Sequence, residues 1–362
     1  MSQPLAAGAD VRKPKADLAA RVPSLTGLRW VAAFLVFGFH VHAENMFADP
    51  TVQHVLLIVF GQAAVCVDFF FILSGFVLTW SGRPGTPARK VWRRRAAKVV
   101  PNHVVTWLIA LGGMILTGKS LSIAASVVGL FLLQSWVPDQ SIYFAVNTPS
   151  WSLSCEAAFY FAFPLLYFGI NKLRERYLWP TAIALVAVVL LIPALVLPLP
   201  ILTQYWIVYI FPVSRAFEFA LGMVLARIVR ANKWINIGLL PSMALCVFAY
   251  WLCAYLPGMF GATAGAVIPI ALVVTSAAVA DITGKWSPWR HPVCVWLGDL
   301  TFAFYLLHQI VLRFADKAFH LSALPTLSAA GLTVVLLAAT VVAAWLLFNV
   351  VEQPMMRLLR GR

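Results

Sequence analysis

The chain is poor in charge. Of its 362 residues only 11% are Asp, Glu, Lys or Arg, while 62% are hydrophobic. A soluble globular domain carries about 25% charged residues, so most of this chain has to sit out of water, and a mean hydropathy of +0.87 agrees. Acidic residues are scarcest, 13 against 27 Lys and Arg. No polar stretch is long enough for a second, soluble domain, and no Gly/Ser-rich linker or internal repeat breaks the apolar runs. The five cysteines (Cys66, Cys155, Cys246, Cys253 and Cys294) lie in or beside apolar runs, without metal-ligand spacing or a disulfide framework. They read as small core residues, and no metal is expected. Residues 1–27 are polar and basic, and the apolar run after them exceeds the length of a signal-peptide core, so no cleavable leader is expected. Residues 1–22 are expected to form a disordered cytoplasmic tail, 23–354 a single membrane domain, and 355–362 a short cytoplasmic tail.

What is present is a series of long apolar runs. A helix needs about 20 apolar residues to cross a bilayer. Runs near 28–47, 57–80, 99–117, 151–170, 178–198, 205–226, 236–256, 264–281, 294–313 and 327–350 meet that length, whereas 121–136 falls short. Positive charge decides the status of the short run. If it re-enters without crossing, 23 of the 27 Lys and Arg fall on one face and three (Lys119, Arg313, Lys317) on the other. If it crosses, the later loops flip and the bias vanishes. The positive-inside rule selects the first arrangement. The expected fold is therefore an all-α bundle of about ten transmembrane helices with both termini cytoplasmic and 121–136 re-entrant. The net charge of +14 then reflects anchoring at the cytoplasmic face and needs no nucleic acid partner.

Polar residues inside these runs are expensive, and they default to functional or paired roles. Arg29 and His40 are eleven residues apart, which returns them to nearly the same helix face about 16 Å apart. On the expected span Arg29 lies at the cytoplasmic interface and His40 near mid-bilayer, where an imidazole can take a proton from a hydroxyl. Asp68, in Val-Asp-Phe-Phe-Phe-Ile-Leu-Ser-Gly-Phe, is the lone charge of its run and needs a partner, either His40 or an arginine. Arg93, Arg94 and Arg95 precede Pro101. Basic residues there ordinarily anchor topology, and they also suit a phosphate clamp. In Pro149-Ser-Trp151-Ser152-Leu-Ser154-Cys-Glu156 the serines can cap a helix, which leaves Glu156 unexplained. Arg215 and Glu218 are spaced to pair on one face. Tyr305 precedes a second intramembrane histidine, His308, and Glu352-Gln-Pro354 closes the set.

In combination and order, these elements resemble the acyltransferase-3 family of bacterial membrane O-acyltransferases. The Leu25-Thr26-Gly27-Leu28-Arg29 opening with His40 is similar to that family's Leu-Asp-Gly-Leu-Arg and following histidine. Cys66-Val67-Asp68 to Phe76, Arg93 with Arg95, Trp151 to Glu156, Tyr305 to His308 and Glu352 to Pro354 continue the match. Thr26 replaces the usual Asp, and Lys98 stands where Arg is common. The resemblance implies a multi-pass enzyme of the bacterial cytoplasmic membrane. Its donor would be acyl-CoA, acetyl-CoA first, and its acceptor a hydroxyl on a glycan, glycolipid or macrolide-like metabolite. It further implies His40 as general base, with Asp68 or Glu156 orienting it and His308 as second choice. Arg29, Arg93 and Arg95 would hold the CoA phosphates, and Trp151, Ser152, Ser154, Arg215, Glu218 and Tyr305 would line the acceptor site. Some members carry an appended hydrolase-like domain. None is expected here, which points to a stand-alone enzyme. The rival reading is a proton-coupled secondary transporter, for which the expected internal repeat is missing.

Overall fold

A computed structural model describes residues 22–360 except Lys119 and Leu121. The tail expected over residues 1–22 thus falls, but for Val22, outside the described residues, as does Lys119. Among the described residues nine helices are long and apolar enough to cross a membrane: α1 (Pro23–Ala43), α2 (Pro50–Ser81), α3 (Ala88–Leu116), α4 (Ser150–Lys172), α5 (Glu175–Leu195), α6 (Ile201–Arg230), α8 (Gly258–Ile282), α9 (Pro292–Phe319) and α10 (Thr326–Leu358). The apolar helix α7 (Leu239–Tyr255) is shorter. The chain is an all-α multi-pass membrane protein, and the only β feature among the described residues is an isolated bridge between Phe47 and Leu324.

Among its described residues, 122–136, the short run forms no span. It folds as a short helix, Ile123–Leu130, and a 3-10 turn, Gln134–Trp136. Eight helical residues rise only about 12 Å, well under the ~30 Å hydrocarbon core. Its flanking helices agree. Lys90 and Val91 at the start of α3 share a wall with Asn171 and Lys172 at the end of α4, and Trp92 stacks on Phe161 along the way, so α3 and α4 run antiparallel. The intervening residues therefore leave and return on one side. Hydrogen bonds from the α4 end hold the segment: Gln134 Nε2 donates to the Ser150 carbonyl, Ser135 Oγ to the Trp151 carbonyl, and Ser154 Oγ to the Leu132 carbonyl.

Three helix boundaries differ from expectation, with consequences for the site. The first span begins at Pro23 rather than at 28, because Asp281 of α8 accepts from both the backbone N–H and the hydroxyl of Ser24 and satisfies the helix start. Arg29 therefore sits more than a turn inside α1, and His40 falls in its last turn, not midway. The basic stretch expected as a loop before residue 99 is helical from Ala88. Ala, Arg and Lys are strong helix formers, so the arginines are spread around the first turns of α3. At the other end α10 passes through a π-helical turn, Phe348–Glu352, and stays helical beyond 354, where a tail was expected.

Two close crossings set the interior. A Cβ on Gly75 of α2 would stand 1.9 Å from the Phe219 carbonyl oxygen, and one on Gly222 of α6 would stand 1.9 Å from that of Ile72. Only glycine lets these backbones touch. Gly298 of α9 packs as closely on the Thr26 carbonyl of α1. That crossing runs α1 and α9 side by side, with Trp30 and Phe37 both against Phe304.

Candidate functional site

The helices enclose a cavity of about 290 Å³ whose wall alternates charge and apolar surface. One end carries Arg29 of α1, Arg95 and Lys98 of α3, Asp299 of α9 and Glu352 of α10. Glu352 is buried, and its carboxylate accepts from Asn102 Nδ2 at 2.6 Å. Its position at the end of the π turn follows a recurrent use of such bulges at functional sites. Further in, Tyr160 donates its hydroxyl hydrogen to Glu156 at 2.9 Å and accepts from Ser74 at 3.3 Å, with the Arg95 guanidinium 5.7 Å from its ring centre. The far end is apolar around Phe70, Leu306 and Tyr305. Ser152 Oγ gives its hydrogen to the Pro149 carbonyl, so the Tyr305 hydroxyl 3.0 Å away is the donor to Ser152.

A second cavity, of about 650 Å³, opens beside the charged end. Arg83, Lys90, Arg94, Arg95 and Lys172 line it with Tyr167 and Phe168, and no carboxylate enters its wall. Arg95 and Leu78 belong to both cavities.

Beyond the apolar end of the first cavity lie the two histidines. The rings of His40 and His308 are 5.1 Å apart and tilted by 43°. His308 Nδ1 donates to the Tyr305 carbonyl at 2.6 Å. The Tyr305 ring is 5.7 Å from His308 and 5.9 Å from Phe70, so Tyr305 stands between the cavity and the histidine pair.

Several residues expected at the site lie elsewhere. Asp68 takes its ion pair from Arg215, not from His40, and Arg215 also pairs with Glu218 at 2.7 Å. All three are at most 1% exposed, the guanidinium lies 5.1 Å from the Phe71 ring centre, and none of them lines either cavity. The parallel crossing at Gly75 and Gly222 brings α2 and α6 into this register. Trp151 packs in the core against Tyr209 and Phe71, and Ser154 is spent on the short re-entrant segment. Arg93 lines neither cavity, since helical geometry turns Arg94 and Arg95 toward them instead. Arg29, Arg95, Glu156, Ser152 and Tyr305 do share one wall.

The wall also holds residues the motifs did not single out as site residues: Lys98, Ser74, Tyr160, Asp299 and Glu352. Asp299 is a carboxylate within the apolar run 294–313, so the rule that flagged Asp68 applies to it equally. Nothing in the sequence pattern marks Tyr160 apart from other helical tyrosines.

A family model described as an acyltransferase domain matches residues 22–349, so the chain belongs to the acyltransferase-3 family and is an enzyme of the acyltransferase class. An acyltransferase of Streptomyces mycarofaciens, MdmB, is 40% identical, over 94% of this chain and 93% of its own length. No solved structure matches. Membership in an acyltransferase family sets aside the transporter reading.

Proposed function

We propose that the enzyme moves an acyl group, acetyl foremost, from acyl-CoA to a hydroxyl of a glycan, glycolipid or macrolide-like metabolite at the bacterial cytoplasmic membrane. The observation that carries this reading is Arg95, which lines both the acid-free basic cavity and the narrower cavity leading toward the histidine pair. CoA has the matching shape, with clustered phosphates at one end and a thin pantetheine arm at the other. Arg83, Lys90, Arg94 and Lys172 supply charge-assisted hydrogen bonds to the phosphates. Arg95, Lys98 and Arg29 follow the arm inward, and Glu156, Asp299 and Glu352 offset their charge where no phosphate reaches. The apolar end then receives the thioester and a short acyl chain. At the histidine pair the acceptor oxygen attacks the thioester carbonyl carbon while its proton passes to an imidazole. The C–S bond breaks, and the thiolate recovers the proton and leaves as CoA thiol. No covalent acyl-enzyme is needed.

The test is purified protein in detergent or nanodiscs with radiolabelled acetyl-CoA and a panel of glycans and macrolides. Label is expected on a hydroxyl of one acceptor class, with free CoA released in equal amount. Protein that neither binds nor consumes acyl-CoA overturns the reading.

A further inference from the structure

The histidine pair contains two imidazoles, and their surroundings differ. His308 Nδ1 lies 2.6 Å from the Tyr305 carbonyl oxygen. A carbonyl only accepts, so Nδ1 carries the hydrogen and Nε2 of the neutral ring carries the lone pair. That Nε2 is buried and has no hydrogen-bond partner, in a residue only 1% exposed. Folded proteins leave few buried polar atoms unpaired, and each one asks for a reason. The ring is also fixed in orientation, stacked on Phe304 at 12° with centres 6.1 Å apart. His40 is placed more loosely. It is only partly buried in the last turn of α1, and its Nδ1 meets Gln309 Nε2 at 3.5 Å, the edge of hydrogen-bonding range.

Resting on the acyl-CoA reading above, we infer that Nε2 of His308 takes the proton of the acceptor hydroxyl and that His40 positions that hydroxyl. Tyr305, one turn before His308 on α9, lines the end of the donor cavity. The base therefore sits one turn beyond the place where the thioester stops, with its lone pair set by the backbone of the residue that closes the cavity. His40 lies beside it, with ring centres 5.1 Å apart. In the step, the hydroxyl O–H bond breaks toward Nε2 as the C–O ester bond forms. The imidazolium then returns the proton to the departing sulfur, and Nδ1–H stays on the Tyr305 carbonyl throughout.

The decisive variant is His308→Asn, whose amide can still donate to the Tyr305 carbonyl but offers no basic nitrogen. Acyl-CoA consumption is read with water or an identified hydroxyl as acceptor. We expect H308N to lose ~10²–10⁴-fold in kcat, with the KM for acyl-CoA and the melting temperature unchanged, and His40→Ala to lose less. As an independent readout, imidazole added to H308A is expected to restore part of the rate, which a purely structural histidine does not allow. H308N turning over at the wild-type rate, H40A losing more than H308N, or a folded H308A that imidazole does not revive overturns the assignment. Those outcomes, with wild-type protein consuming acyl-CoA, leave the donor reading standing. Wild-type protein that leaves acyl-CoA intact overturns the donor reading and this assignment with it.

Discussion

The membrane interior holds two clusters of charged side chains, and they are built differently. Asp68, Arg215 and Glu218 are sealed, each at most 1% exposed, at the point where α2 and α6 touch. Arg29, Arg95, Lys98, Glu156, Asp299 and Glu352 line a cavity instead. In the sealed cluster one guanidinium serves two carboxyl groups through Asp68 Oδ1 and Glu218 Oε1, and Asp68 Oδ2 and Glu218 Oε2 have no hydrogen-bond partner. In the open cluster charges of both signs come from five helices and face space that a ligand can fill. Intramembrane charge alone therefore does not mark a substrate site. What separates the two is whether the charges are consumed by one another or left facing a cavity.

The largest expected effect comes from breaking the sealed cluster. Arg215→Ala leaves two buried carboxyl groups without their cation, and removing one partner of a buried pair costs ~3–5 kcal/mol. We expect a collapse of thermal stability and of folded yield, read by fluorescence-detected size exclusion after heating. An R215A protein that melts like wild type but fails only in turnover would move this cluster into the reaction site. Next comes the crossing that holds the cluster together. Gly222→Leu forces a side chain against the Ile72 carbonyl, and overpacking of this kind costs ~1–3 kcal/mol. A lowered melting temperature is expected, and an unchanged one would mean that α2 and α6 separate without penalty.

The open cluster predicts the reverse pattern. Arg94→Ala with Arg95→Ala is expected to leave the melting temperature near wild type and to raise the KM for acyl-CoA. Charged hydrogen bonds contribute ~1.5–3 kcal/mol each, so the rise should be about tenfold or more. Arg93→Ala alone is expected to do less, because Arg93 lines neither cavity. Equal effects from Arg93 and Arg94 would argue that the cluster attracts CoA only by its summed charge. The smallest perturbation is a probe of sidedness. A reporter fused after Lys172 is expected to read cytoplasmic, and one near Leu199 extracytoplasmic. The opposite reading at both would put the basic cavity outside and remove cytoplasmic acyl-CoA as its ligand.

Much of the architecture was legible in the chain because its causes are local or one-dimensional. Apolar runs of span length give helices, and the 23-to-three distribution of Lys and Arg argued against a crossing at 121–136. The antiparallel contact of α3 with α4 is consistent with that argument. Individual motifs were legible as exceptions to the apolar rule. Which exceptions belong together was not. Asp68 had two candidate partners, and only the register of α2 against α6 selects Arg215, 147 positions away. Trp151 and Ser154 sit in the same short motif as Ser152 and Glu156, yet only the latter two face the cavity.

By itself the sequence determined the solvent of this protein, its helices and the family it belongs to, because hydropathy, charge bias and ordered motifs are properties of the linear chain. The tertiary structure decided which charges cancel in the core and which face a cavity, and it decided that Arg94 rather than Arg93 joins Arg95. It also fixed the hydrogen on His308 Nδ1, through a carbonyl one turn away on the same helix. The physical reason is that helix ends, rotations and crossings depend on contacts such as Asp281 with Ser24 and Gly75 with Phe219, between residues far apart in the chain. No short window of the sequence contains them.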